Sequence, residues 1–368
     1  MDFDVVVVGS GIVGLACAWA AMQRGHRVLV LERNHRCVGA SIRNFGFVTV
    51  TGQGKGQTWR RARATRDVWS DIAPKAGIEV IQTGLLVMPQ REEAVAVLKS
   101  LMNQENGDEL KWIERSELLE RYPQFAKSHV LGALYSPHEL RIESRKAIAQ
   151  LQKWLQSQGV VFQNGAAAHL SHDHRLSALG RSVPYGHLIL APGPDLSHFA
   201  PHLVDQLQLT TCRLTMLRIQ PPPGYVLPHP VMSDLSLVRY QGYVEQACSA
   251  SLSIRLQSEQ PDHLAHGIHL IIVQSADGSL VVGDSHHYAD TIEPFAQAKT
   301  ESLILEEMQK VLQLSEYSVI ERWVGEYPSG TQDAVIECIS EKISLVGVTS
   351  GTGMSTAFAL AQEWAGAL

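Results

Sequence analysis

Residues 4–14 read Asp-Val-Val-Val-Val-Gly-Ser-Gly-Ile-Val-Gly, and no other stretch constrains the fold as much. Four consecutive valines suit a strand covered on both faces, as in a parallel sheet. Gly9 permits the tight turn after the strand, Gly11 lets backbone approach a pyrophosphate, and Gly14 allows close packing of helix on strand. The alanine-rich run that follows, residues 15–25, reads as a helix whose first amides and dipole favour phosphate. A second apolar strand over residues 26–31 ends at Glu32. This is the position, about 20 residues beyond the turn, where such a unit sets an acid on ribose hydroxyls. A carboxylate there disfavours a 2′-phosphate and suits FAD or NAD.

The next residues favour the flavin. Gly39-Ala40-Ser41-Ile42-Arg43-Asn44-Phe45-Gly46 offers small residues and polar donors that would wrap a second phosphate and a ribityl chain. An NAD unit would more often run straight into another strand–helix repeat. Far along the chain, residues 343–348 read as another buried strand. They enter Thr349-Ser350-Gly351-Thr352-Gly353-Met354-Ser355-Thr356 and then a helix over 357–365, a second set of turn amides for an anion. The two ends of the chain are therefore expected to meet on one ligand. Between them, residues 144–156 read as a helix, 158–162 as a strand, and 187–193 as a buried strand closing on Ala191-Pro192-Gly193. Residues 269–274 and 279–283, split by Ala276-Asp277-Gly278, form a hairpin that ends at 284–288.

With 368 residues the chain exceeds what one core usually fills, so two domains or a large insertion are expected. Thirty-one Lys and Arg against 37 Asp and Glu give a net charge of −6, which argues against nucleic acid as a partner. Five widely spaced cysteines without a CxxC pair suit free thiols in a reducing compartment. The start of the chain lacks leader character, and no apolar run reaches the roughly 20 residues of a membrane span. A cytoplasmic protein is expected. No metal is expected, since no set of ligands with metal-like spacing accompanies the histidine pair at 286–287. The oligomeric state is left open.

The Gly9/Gly11/Gly14 fingerprint with Glu32, the Ala40–Gly46 turn, the Ala191-Pro192-Gly193 strand end and the Gly351-Thr352-Gly353 turn occur in an order that resembles the D-amino acid oxidase family. That family holds FAD-dependent glycine and sarcosine oxidases, and the resemblance runs the length of the chain. Four stretches are similar to a subgroup found with phosphonate-degradation genes: residues 41–46, 140–145, 282–288, and 322–329 with 349–356. The resemblance implies an α/β fold: a Rossmann-type FAD-binding domain interleaved with an α+β substrate domain on a mixed sheet. The FAD domain would use 1–78, 142–209 and 320–368, and the substrate domain 79–141 and 210–319, with Pro221-Pro222-Pro223 as a boundary loop. The cofactor cradle would comprise Gly9, Gly11, Ile12, Val13, Gly14, Glu32, Arg33, Ala40, Ser41, Asn44, Phe45, Gly46, Ala168, Ala191, Gly193, Gly351, Thr352, Gly353, Met354, Ser355 and Thr356. Monomeric sarcosine oxidases attach FAD through a cysteine before the last strand. Cys338, the cysteine nearest that place, reads as a strand-edge residue, so the FAD is expected to be non-covalent.

Oxidation of an amine by flavin asks the protein chiefly for orientation and electrostatics. An anionic group on the substrate calls for arginine, whose planar fork matches carboxylate or phosphonate oxygens. Arg43, Arg141, Arg145, Arg239 and Arg322 are the arginines weighed. Arg43 stands in the flavin turn, and Arg141 lies where the family crosses beside the substrate. Strand alternation sends His286 and His287 to opposite faces. The subgroup similarity favours His287 and Tyr288, with the histidine a proton acceptor for the ammonium. Tyr327 and Ser329 would bond substrate oxygens. The expected catalytic set is therefore Arg43, Arg141, His287, Tyr288, Tyr327 and Ser329.

The expected reaction is oxidation of a small aminophosphonate related to 2-aminoethylphosphonate. Hydride would pass to flavin N5, the imine would hydrolyse to an aldehyde, and oxygen or another acceptor would reoxidise the flavin. Three rivals stand beside it: a glycine- or sarcosine-type oxidase, a flavin subunit passing electrons to a partner protein, and a silent FAD-binding scaffold.

Overall fold

The computed structural model describes residues 3–366, so residues 1, 2, 367 and 368 of the expected cofactor part lie outside the described residues. The valine strand, Phe3–Val8, is central in a six-stranded sheet. It pairs in parallel with Val28–Glu32 on one side and with Tyr185–Leu190 on the other. Ile343–Val348 pairs in parallel with Tyr185–Leu190, Ala334–Ser340 runs antiparallel at that edge, and Val161–Asn164 closes the opposite edge. The central strands are buried on both faces, which is what uninterrupted apolar sequence dictates. The helix Ile12–Gln23 packs with Gly353–Gly366, and the latter also packs on Gln57–Lys75. Trp19 and Trp69 both meet Phe358 edge-on, at 5.2 and 5.1 Å.

A ten-stranded mixed sheet forms the second part. Its long strands, Gly132–Ile142 and Thr210–Gln220, carry most of the pairing, the latter along the whole of Ser318–Ser329. The hairpin forms over Ile271–Gln274 and Leu280–Gly283, antiparallel and fully buried. Helix Glu92–Met102 buries Ala94, Val97, Leu98 and Leu101, an i, i+3, i+4 stripe against this sheet's core.

Strand membership departs from the expected division at two places. Phe47–Val48 pairs with Gly132–Ile142, and Ser318–Ser329 belongs wholly to the large sheet, so the chain leaves that sheet after Ser329 and not at 320. The expected strand at 158–162 begins at Val161, because Gly159 turns the chain at φ +98° after the helix Ser144–Ser157. The last helix starts at Gly353, four residues before the expected 357. Among the described residues, no helix is long and apolar enough to cross a membrane.

Candidate active site

The two glycine turns face one another across the C-terminal ends of the parallel strands, where open α/β sheets bind ligands. A cavity of about 550 Å³ is lined by Gly11, Ile12 and Val13 from one turn and by residues 351–355 from the other. A second, about 680 Å³, runs along Gly9, Glu32, Arg33 and Ala168, and Gly11, Ala40, Ser41, Arg43, Ala191 and Gly193 line both. The turn glycines are sterically required. A Cβ on Gly9, which sits at φ +104°, would lie 2.4 Å from the Ala191 carbonyl oxygen, and one on Gly14 would lie 1.9 Å from the Gly9 carbonyl oxygen. Gly14, Gly46 and Thr356 therefore shape the cradle without lining it. Gly46 accepts no Cβ because the Ile142 carbonyl is in the way, and Thr356 is buried with its hydroxyl on Thr352 O. Asn44, Phe45, Thr352, Gly353, Met354 and Ser355 line the first cavity.

Two cradle residues are already engaged. Ser41 Oγ accepts the Ile12 amide at 2.9 Å, capping the helix start from the neighbouring turn. Glu32 accepts from Ser10 N and Oγ through one oxygen and from Asn34 N and Nδ2 through the other. Those four bonds match a carboxylate's acceptor capacity, so a ribose hydroxyl must displace the Ser10 or Asn34 side chain to reach it. A long cleft floored by glycine backbone and ending at this acid fits a dinucleotide such as FAD. Cys37 lines the second cavity with its thiol pushed up to about 11 by burial, so it is not a thiolate there.

On the substrate side two expected residues lie away from the cavity. Arg141 is buried at the far end of the hairpin, 3.2 Å from Ser275 Oγ and 3.3 Å from Glu143 Oε1, and lines neither cavity. The arginine that lines the first cavity on this side is Arg239, in the loop between two short helices, Asp234–Leu237 and Gln241–Val244. Arg239 Nη2 donates to Tyr288 Oη at 2.7 Å. Burial works against its charge, but Tyr327, Tyr288 and Asp284 outweigh that and keep the guanidinium protonated. The histidines alternate as expected, in the opposite sense. His286 lines the cavity, whereas His287 lies outside it against the His266 ring at 5.4 Å. Arg322 pairs with Glu301 and Arg145 with Glu321, both at the surface.

Arg43, Tyr288, Tyr327 and Ser329 all line the cavity. Arg43 Nε donates to Val38 O at 2.8 Å within its turn. Burial pushes the Tyr327 phenol well above its ordinary range, so it stays a donor at neutral pH. Beside them lies a grouping that residue spacing did not reveal. His269, Asp284 and His286, all buried, bring donor atoms within 4.8 Å of one another. Asp284 Oδ1 lies 2.7 Å from His269 Nε2 and 3.7 Å from His286 Nδ1. Both approaches converge on that one oxygen, which has no hydrogen bond of good geometry. Burial works to raise the Asp284 pKa, but His286, His269 and Arg239 together hold it below the ordinary 3.8. The Arg239 charge beside the group opposes a second cation, and His286 Nδ1 is occupied by the Gly267 carbonyl at 3.2 Å. The set can share a proton between the Asp284 carboxylate and the two imidazoles.

Residues 4–367 match the family model described as FAD dependent oxidoreductase, DAO. An opine oxidase subunit of Rhizobium meliloti is 26% identical over 54% of this chain and 58% of its own length. The glycine oxidase of Geobacillus kaustophilus (strain HTA426) is 24% identical over 40% of this chain and 42% of its own. These matches thus span about half the length of the curated relatives. The solved structure of glycine oxidase from Geobacillus kaustophilus superposes with a TM-score of 0.76 over 98% of this chain and 92% of that one, at 17% identity. It has the same fold.

Proposed function

Because the chain belongs to the DAO family of FAD-dependent oxidoreductases, we propose that it oxidises the C–N bond of a small aminophosphonate of the 2-aminoethylphosphonate kind. The observation that supports this substrate is one corner of the cavity where Arg239 and the phenols of Tyr288 and Tyr327 converge as anion donors, with the His286 ring beside them. A carboxylate is satisfied by one arginine fork; a phosphonate has three oxygens and up to two charges to match. When bound, FAD supplies the hydride acceptor, and the protein supplies position and field. Arg239 and Tyr288 hold the anionic group, Tyr327 donates its phenol from the turn side, and Arg43 sets positive charge beside the flavin turn. The released imine hydrolyses in water to an aldehyde and an amine or ammonia. Non-covalent FAD is supported by Cys338, which is exposed on the outer strand Ala334–Ser340 and lines neither cavity.

Two further readings have specific support. The likeness to glycine oxidase favours an amino acid substrate with a carboxylate on Arg239. The likeness to an opine oxidase subunit favours a flavin protein that passes electrons to a partner protein. The visible spectrum of the purified protein, before and after anaerobic addition of 2-aminoethylphosphonate, glycine and sarcosine, separates all three. Bleaching by the aminophosphonate is the expected result, and colour returning in air identifies an oxidase. Bleaching by glycine or sarcosine alone sinks the phosphonate reading, and colour that returns only with an added dye marks the electron-transfer subunit.

A further inference from the structure

His286 faces the cavity with one nitrogen already spoken for. Its Nδ1 lies 3.2 Å from the Gly267 carbonyl, which can only accept, so the neutral ring carries its proton on Nδ1 and its lone pair on Nε2. Nε2 has no hydrogen bond to any described residue. An anion cannot accept from a lone pair, so a group whose second negative charge is left unmatched by Arg239 meets repulsion at Nε2 unless that nitrogen gains a proton. The surroundings are arranged for the gain. The groups facing the ring are Asp284, His269 stacked at 5.0 Å, Tyr288 stacked at 6.4 Å, and Arg239.

We propose that His286 takes up a proton as a dianionic substrate group enters the corner beside Arg239, turning Nε2 from acceptor to donor, and that this selects a phosphonate over a carboxylate. With one carboxylate, Arg239 alone balances the entering charge. With a phosphonate dianion a second positive charge is needed, and an imidazolium held by Asp284 supplies it. No bond other than N–H forms or breaks; the proton comes from solvent water or buffer. In the empty site burial keeps the ring neutral, well below the ordinary 6.5 and against the pull of Asp284. The charge therefore appears only with the ligand. The inference rests on the phosphonate reading above, and its test is kept separate from the bleaching experiment.

The test is titration calorimetry of the FAD-loaded protein with methylphosphonate and with acetate, near pH 7.5, in buffers of different ionisation heat. The slope of heat against buffer ionisation heat counts protons. The expected uptake equals the dianion fraction of free methylphosphonate, rising toward one as pH is raised, and is close to none with acetate. Methylphosphonate affinity should then weaken about tenfold per pH unit across the range of linked uptake. His286→Gln should bind methylphosphonate with the uptake lost and the pH slope flattened, its flavin spectrum serving as the folding control. Methylphosphonate binding without uptake in the unaltered protein overturns the role of His286 and leaves the phosphonate reading standing. Uptake that survives in His286→Gln also overturns it, because the proton then goes to the phosphonate itself. Acetate binding where methylphosphonate does not bind, or neither binding, overturns the anion corner. Should the variant fail to fold, the contrast between the two anions still decides.

Discussion

Arg239, half-buried in its loop, and Arg141, buried on the large sheet, have surroundings that give them different work. Arg239 meets Tyr288 at 2.7 Å on the cavity wall. Hydrogen bonds to a charged group contribute about 1.5–3 kcal/mol each. Arg239→Ala should therefore lower kcat/KM by roughly 10–100-fold, through KM, with the flavin still bound; steady-state rates and the visible spectrum check both halves. Arg141 has two guanidinium nitrogens, Nε and Nη1, buried without a partner. Burial lowers its pKa despite Glu143. Arg141→Met should leave the choice among amines unchanged and shift only the denaturant midpoint. A change in amine selectivity for Arg141→Met would return the anion clamp to that residue.

At the scale of elements, the cradle is two strand–turn–helix units brought face to face. Gly351 sits at φ +74°, and a Cβ there would lie 2.9 Å from the Tyr327 ring. Gly351→Ala should expel or loosen the flavin while secondary structure persists, seen as colour lost on gel filtration with an unchanged far-ultraviolet signal. Gly14→Ala meets backbone at 1.9 Å and should prevent folding outright, because a carbonyl cannot swing aside as a side chain can. The cradle was legible in the sequence because each unit is local: strand, glycines and helix follow one another within about twenty residues. The substrate corner was not. Arg239 comes from a loop without a motif, and His269 approaches Asp284 and His286 only through strand pairing. One signal was available. Extending the hairpin register of Ile271 with Gly283 by two residues sets His269 beside residues 284–286. Which histidine faces inward depends on how the strand His287–Ala289 is turned against Thr210–Gln220, and alternation alone leaves that sign open.

Across the whole molecule, the loop bearing Arg239 is anchored by a buried carboxyl far from the flavin turns. Asp234 is fully buried, 2.7 Å from Arg91 Nη1 and bonded by the Gln90 amide. Burial nonetheless pushes its pKa from 3.8 to about 7. A carboxyl raised in the folded state binds a proton there that the unfolded chain has already lost. Its contribution is fully present below about 4 and declines as pH rises through about 7, by up to about 1.4 kcal/mol per pH unit. Asp234→Asn should flatten the fall in urea midpoint between pH 4.5 and 7; a slope equal to that of the unaltered protein would show the carboxyl to be ionised throughout.

The face-to-face turns also order events in time. Residues 9–14 leave the ribosome long before residues 351–355, on the order of half a minute at about 5–20 residues per second. During that interval the valine strand and its helix are present without the strand Ile343–Val348 and the helix Gly353–Gly366 that complete their sheet and cover Trp19. A nascent chain thus holds one wall of the cradle and cannot grip a dinucleotide between two. Cofactor loading follows translation, and until then the unfinished sheet presents Tyr185–Leu190 as an open edge for a chaperone to guard.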